Sequence, residues 1–301
     1  MKVLITGGTG FIGVKLKNTL VEKGYQVHVL VRDVSKYSSS LQVKYFEWNT
    51  QSLTIDSNAF EGVEAIINLA GKNINCRWNT KNKQEILESR LRASKTLYNF
   101  LSTNSHQVKH ILHASAIGIY PSSLHNQYDE NQEEFNNAFL GSICQQWEKA
   151  NTSFEQLGIK NAFVRIGLVL DSKKGALPEM KKLVAFGIGN RLGTGKQYYS
   201  WIHQTDLIRL MLHIVENQLE GIYNGVSSEP VTQFEFNNEL AFVLKKRFWI
   251  PQIPSLLFKI GLGERSQLLL DSQYVMNQKI LDSGFTFQFT NVQAALKEIF
   301  K

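Results

Sequence analysis

Cysteine is scarce in this chain, with only Cys76 and Cys144 among 301 residues. Two cysteines make no disulfide framework, and no C-x-x-C or Cys/His cluster offers metal-ligand spacing, so no metal is expected. A reducing compartment follows as the default. No apolar run approaches the length of a bilayer span. The first residues read as a strand preceded by one lysine, not as a charged segment with an apolar core and a cleavage site. The expectation is a soluble, cytoplasmic protein without a membrane partner. Acidic residues are outnumbered, 26 against 33 basic, for a net charge of +7. The basic residues are scattered, with short clusters only at Lys173-Lys174, Lys181-Lys182 and Lys245-Lys246-Arg247. No nucleic-acid-binding module is visible, so nucleic acid is not an expected partner. The clusters read as solvated lysines or, secondarily, as a basic rim around a phosphate-bearing ligand.

What is present is ordinary globular composition, 43% apolar and 20% charged. The length suits one large domain, or one large and one small. Gly7-Gly-Thr-Gly-Phe-Ile-Gly13 follows the apolar run Val3-Leu4-Ile5. An amphipathic stretch comes next, and a second strand, 25–31, follows Gly24. This strand–turn–helix context is the test a dinucleotide-binding G-x-x-G-x-x-G must pass. Gly7 permits the tight turn, Gly10 lets the backbone approach phosphates, and Gly13 lets helix and strand pack closely. Thr9, Phe11 and Ile12 complete the loop that would present amides to a diphosphate. Val31-Arg32-Asp33 closes the second strand, where an acid marks NAD and an arginine marks NADP. Both residue types are there. The guanidinium fork of Arg32 suits a 2′-phosphate, which favours NADP over NAD. Asn68-Leu69-Ala70-Gly71 ends another strand with small residues that admit a ribose.

Strands are expected at 2–6, 25–31, 43–46, 65–69, 108–114 and 161–165, with helices at 11–23, 80–103 and about 137–157. Their alternation predicts a doubly wound parallel sheet of the Rossmann type. The second half is less regular. Six of the 21 glycines fall between Gly167 and Gly195, a density that suggests loops lining a cleft over about 167–200. A helix at 177–186, a strand at 198–202, a helix at 205–216 and a strand at 222–226 follow. Thr232-Gln-Phe-Glu235 reads as a capping box, and Thr290-Asn-Val-Gln293 as the cap of a last helix, 292–300. The expected domains are 1–229, binding NADP, and 230–301, a smaller, mostly helical C-terminal lobe on the substrate side. Ser115 and Tyr120 leave the fifth strand at its carboxyl end, where a serine orients a substrate oxygen and a tyrosine donates a proton.

The residues Ile5 to Gly13, Asn68 to Gly71, Arg77-Trp78, Ser89-Arg90, Ser115-Ala116, Arg165-Ile166-Gly167 and Ser200-Trp201-Ile202-His203 with Asp206-Leu207 carry a resemblance over nearly the whole chain. It resembles an extended or atypical short-chain dehydrogenase/reductase of the NAD-dependent epimerase/dehydratase superfamily, in the "epimerase family protein" group. The tail from Pro254 to Phe300 is similar to that group's small domain of unknown function. The resemblance implies NADP binding and an oxidoreductase or epimerase acting on a small polar, sugar-like molecule. It also implies roles for Arg165 at the cofactor and for Arg90, Trp201 and His203 at the substrate, with His203 held by Asp206 as the plainer reading. The chain departs from most short-chain dehydrogenases in lacking Tyr-x-x-x-Lys. The matching positions are Leu140 and Cys144, a loss the group shares. Lys72 and Ile119-Tyr120-Pro121 replace a glutamate and Tyr-Tyr-Gly of relatives. A non-catalytic NADPH-binding sensor is therefore the alternative to an enzyme, and the chain is expected to be a monomer or homodimer.

Overall fold

The computed structural model describes residues 1–301, the side chain of Pro251 excepted. Its main sheet has eight strands: β1 (Lys2–Thr6), β2 (Gln26–Val31), β3 (Val43–Asn49), β4 (Thr54–Ile55), β5 (Ala65–Asn68), β6 (His110–Ala116), β7 (Lys160–Ile166) and β8 (Gly221–Gly225). Their order is β8-β7-β6-β5-β1-β2-β3-β4. β1 pairs in parallel with both β2 and β5, and β2–β3 and β5–β6 are also parallel, whereas β3–β4 is antiparallel. Val3, Leu4 and Ile5 are wholly buried, as the interior of a parallel sheet covered on both faces requires. The order reverses between β1 and β5, so a crevice opens there at the carboxyl ends of the strands.

Helices α1 (Phe11–Glu22), α2 (Thr80–Thr103) and α3 (Phe139–Asn151) follow β1, β5 and β6. Helix α2 starts on Asn79, whose side chain accepts from the Asn82 amide. It buries Ala93, Leu97 and Leu101 at helical spacing against Leu4, Ile66 and Ile111 of the sheet.

By its contacts the chain forms two compact units, one of Met1–Ser115, Ser142–Val164 and Ile208–Ile222, the other of Ala116–Gly141, Arg165–Leu207 and Tyr223–Lys301. The sequence reading draws one boundary, at 229/230. Along the sequence these units interleave, the chain passing from one to the other within each of β6, β7 and β8. Helices α4 (Leu177–Ala185), α5 (Gln204–Glu216), α6 (Gln233–Val243), α7 (Ser255–Leu262), α8 (Gln267–Leu270), α9 (Gln278–Asp282) and α10 (Val292–Ile299) complete the fold, with α7–α10 forming the smaller, mostly helical C-terminal part. Within the second unit, Leu177, Met180 and Val184 of α4 join Phe236 and Leu240 of α6 and Ala295 and Leu296 of α10 around Trp201.

One local reading changes. The strand expected over 198–202 is two strands, Tyr198–Tyr199 beside Val231–Thr232 and Trp201–His203 beside Leu168–Leu170. Ser200 divides them: its hydroxyl donates to the Gln273 carbonyl and accepts from the Val275 amide. The last helix is capped by Asn291, whose side chain accepts from the amides of Gln293 and Ala294, while the carbonyl of Thr290 takes the Ser227 hydroxyl. The capping box at Thr232 and Glu235 forms as read. Among the described residues no helix is long and apolar enough to cross a membrane, and no group of three or more His, Cys, Asp or Glu is placed to hold a metal.

His113 lies in β6 between Phe154 and Phe163. Asn68 donates to its Nδ1 at 3.1 Å, so the ring is neutral with its proton on Nε2. Burial pushes its pKa down to about 3. The unfolded state, with an ordinary histidine near pH ~6.5, binds the proton first. The stability that this neutral ring contributes is present above pH ~6.5 and is lost as pH falls toward about 3. Denaturant melts across that range are expected to show a smaller loss in His113→Gln than in the unaltered chain.

Candidate functional site

The site starts with the turn between β1 and α1. Gly7 has φ +67°, and a Cβ there would lie 2.8 Å from the Leu69 carbonyl oxygen. A Cβ on Gly13 would lie 2.2 Å from the Gly7 carbonyl oxygen, so any side chain would push α1 off the strand. A Cβ on Gly10 would meet only the Gly7 carbonyl oxygen, at 3.1 Å. Gly10 is also the N-cap of α1, with no side-chain cap and no acid in the first turn. The N-terminus of a 12-residue helix thus presents its amide dipoles beside the crevice, without the acidic or hydroxyl cap that most helices recruit. A cradle closed to side chains and lined by amides fits a diphosphate.

Thr6 locks the two loops of the crevice together. Its hydroxyl donates to Asn68 Oδ1 at 2.7 Å and accepts from the amides of Leu69 and Ala70, each at 3.1 Å. Asn68 in turn donates to His113. The small-residue turn Leu69-Ala70-Gly71 is therefore held open by a buried polar chain across three strands. Below it, the Ser89 hydroxyl accepts from the Lys72 amide at 2.8 Å. Arg90 donates to the carbonyls of Lys72 and Ile86, and its guanidinium lies over the Trp147 ring. A Cβ on Gly71 would meet the Arg90 side chain at 2.9 Å. Arg90, expected at the substrate, is thus packed beneath the turn, and the Ser-Arg pair of α2 fixes that turn's shape. Lys72 pairs with Glu85 and donates to Asn82.

At the end of β2, Arg32 is exposed. Asp33 is otherwise engaged: its carboxylate accepts from the Ser35 amide and hydroxyl and pairs with Lys36 at 2.9 Å. The hydrogen bonds from Ser35, then from Lys36, pull its pKa down to about 2. The acid that would mark NAD is occupied in capping the turn Val34–Lys36, and Arg32 stands exposed beside it. Ser35 and Lys36 escaped the sequence reading, which stopped at the strand end.

Ser115, which closes the first segment of the first unit, is buried and donates to Glu148 Oε1 at 2.6 Å. Glu148 also escaped the sequence reading. The signal was available, because Leu140, Cys144 and Glu148 follow one another at i, i+4, i+8 on one face of α3. The positions where Tyr-x-x-x-Lys would stand carry no proton donor of that kind, but the next turn carries a carboxylate.

The second unit holds the other expected residues. Tyr120 is wholly buried. Its hydroxyl donates to Asn224 Oδ1 at 2.8 Å and accepts from Arg165 at 2.9 Å. Asn224 is held by Glu130 and by the Met276 carbonyl. Burial pushes the Tyr120 pKa up to about 12. Tyr120 and Arg165 thus form an internal brace, with Arg165 1% exposed. Trp201 is buried and donates to the Glu229 carbonyl. His203 accepts from the Thr205 amide on Nδ1 and donates through Nε2 to Glu298 at 3.0 Å. Burial holds its pKa below the ordinary histidine range. Its carboxylate partner is Glu298, not the expected Asp206, which accepts from the amides of Gln288 and Phe289.

The model of the NAD dependent epimerase/dehydratase family matches residues 3–139, and that of DUF1731, a domain of unknown function, matches 253–299. The chain is 34% identical to Epimerase family protein MW0731 of Staphylococcus aureus (strain MW2), over 99% of this chain and 98% of that protein. It is 32% identical to Epimerase family protein YfhF of Bacillus subtilis (strain 168), over 99% and 98% of the two chains. Among solved structures it is similar to human epimerase family protein SDR39U1 (isoform2) with NADPH, at TM-score 0.86 and 30% identity, over 100% and 99% of the chains. UDP-glucuronic acid 4-epimerase from Bacillus cereus, in complex with UDP-glucuronic acid and NAD, shares the fold at TM-score 0.80 and 14% identity, over 100% and 98% of the chains.

Thr6→Val keeps the shape but leaves Asn68 Oδ1 and the Ala70 amide short of a partner, the Leu69 amide keeping the Thr6 carbonyl. It is expected to cost about 3 kcal/mol in urea unfolding, and to weaken binding of pyridine nucleotide measured by calorimetry.

Proposed function

The chain belongs to the NAD dependent epimerase/dehydratase family, and from that membership we propose that it is an NADP-dependent oxidoreductase or epimerase of the short-chain dehydrogenase type, acting on a small polar substrate in a reducing, cytoplasmic compartment. The observation that carries the reading is the side-chain-free amide cradle Gly7–Gly13 at the reversal of the sheet, with Arg32 exposed one strand away. The amides of the loop from Thr9 to Gly13 hold the diphosphate, and Arg32 holds the 2′-phosphate. Leu69, Ala70 and Gly71 leave room for a ribose. The 30% identical human protein with NADPH supports the choice of NADP.

The cofactor supplies the hydride acceptor or donor when bound, and proton movement falls to the protein. Ser115 and Glu148 are the pair we assign to it. As a substrate hydroxyl gives its proton to Ser115 Oγ, the serine passes its own to the Glu148 carboxylate. In reduction the same protons travel the other way. Tyr120 and Arg165 take a positioning role, because their polar groups are spent on each other and on Asn224. Trp201 and His203 likewise support the fold around them.

One observation favours a second reading. Leu140 and Cys144 stand where Tyr and Lys are expected, so a cofactor-bound regulatory module without turnover is the alternative. A panel of carbonyl compounds with NADPH separates the two. Turnover that falls at least about a hundredfold in Glu148→Gln, with unchanged NADPH affinity, upholds the relay. Full binding without turnover on any compound selects the regulatory module.

Calorimetry tests the cofactor itself. NADPH is expected to bind more tightly than NADH, and Arg32→Ala to lower NADPH affinity by about tenfold to a hundredfold while NADH affinity barely changes. Equal loss for both nucleotides would remove Arg32 from the 2′-phosphate site.

A further inference from the structure

The second unit carries an apolar surface that nothing in the nucleotide site explains. Trp249 is 83% exposed, Phe186 75% and Ile260 74%, with Phe242, Ile250, Leu256 and Leu257 also open to solvent. They are grouped by the backbone. The Trp249 and Ile250 amides both donate to the Gly187 carbonyl, and a Cβ on Gly187 would lie 2.3 Å from the Trp249 ring. Phe186 and Trp249 are therefore neighbours. The strand Ile250–Ile253 then leads through Pro254 into α7, none of whose residues is buried. Leu256, Leu257 and Ile260 recur at i, i+1, i+4, on one side of that helix.

Charge decides what such a surface fits. Between Glu239 and Glu264 there is no acidic residue, whereas Lys245, Lys246, Arg247 and Lys259 all lie in that span and are all exposed. A second copy related by a two-fold axis would set this basic span against itself. An apolar face with an aromatic edge and an uncompensated basic rim matches an anionic lipid surface, where apolar side chains enter the headgroup boundary and lysines meet the phosphates.

We propose that the segment Phe242–Leu262, with Phe186, is a docking surface for anionic membranes, seated in the interface without spanning it. This goes beyond the nucleotide site and does not depend on it. The test uses the full chain saturated with NADPH, sedimented with vesicles of phosphatidylcholine alone or mixed with phosphatidylglycerol. Co-sedimentation with the mixed vesicles only, weakening as salt rises, is the expected result. Replacing Lys245, Lys246 and Arg247 together by Gln is expected to lower partitioning by at least about tenfold, and Leu256→Glu with Ile260→Glu to abolish it. These side chains are exposed, so NADPH affinity and melting temperature are expected to stay at their unaltered values. Emission of the unaltered chain is expected to shift to the blue with mixed vesicles and not in Trp249→Phe, a readout independent of the charge variants. No sedimentation of the unaltered chain, or equal sedimentation with neutral vesicles, overturns the proposal. So does a concentration-dependent dimer in solution that Ile260→Glu breaks, which would make the surface a contact between copies of the chain.

Discussion

The approach of α1 to β1 governs the nucleotide-binding unit. With Gly13 pressed against the Gly7 carbonyl, the helix starts at the carboxyl end of the central strand and its first amides face the crevice. No other residue type fits at Gly13, and the positive φ at Gly7 sets the direction of entry. Because the sheet reverses its order at β1 and β5, the turn after β5 approaches the same place from the other side. Thr6 binds that turn through one hydroxyl, so a single side chain fixes the width of the crevice.

The rest of the polar apparatus is strongly committed. Arg90 is spent on carbonyls beneath Gly71, Arg165 on Tyr120, His203 on Glu298, and Asp206 on two backbone amides. Buried polar groups of this kind are costly without partners, and each of these side chains is anchored by at least one hydrogen bond. A family motif containing an arginine or histidine is then as much a record of how loops are held as of what touches a substrate. Ser115 with Glu148 differs only in its place. It lies next to the carboxyl end of β6, at the edge where ligands gather in doubly wound sheets, and it pairs a hydroxyl with a carboxylate, which can exchange a proton.

The nucleotide half of the fold was legible because its signals are local. Strand–glycine–helix spacing, unbroken apolar strands and the helix over 80–103 each follow from neighbouring residues, and the structure reproduces them within a residue or two. The capping box at Thr232 was legible for the same reason. The split at Ser200 was not, because it depends on Gln273 and Val275, more than seventy residues away.

The amino-acid sequence by itself determined that a glycine turn joins the first strand to the first helix, since glycine spacing is a property of a short segment. It also determined that the usual Tyr and Lys are missing from α3. Only the tertiary structure decided which polar residues remain available. Tyr120 is withdrawn by Asn224 and Arg165, and Glu148 is brought to Ser115 from 33 positions along the chain. The reason is that a side chain's chemistry is set by what surrounds it, and those surroundings are assembled from residues that the linear order keeps far apart.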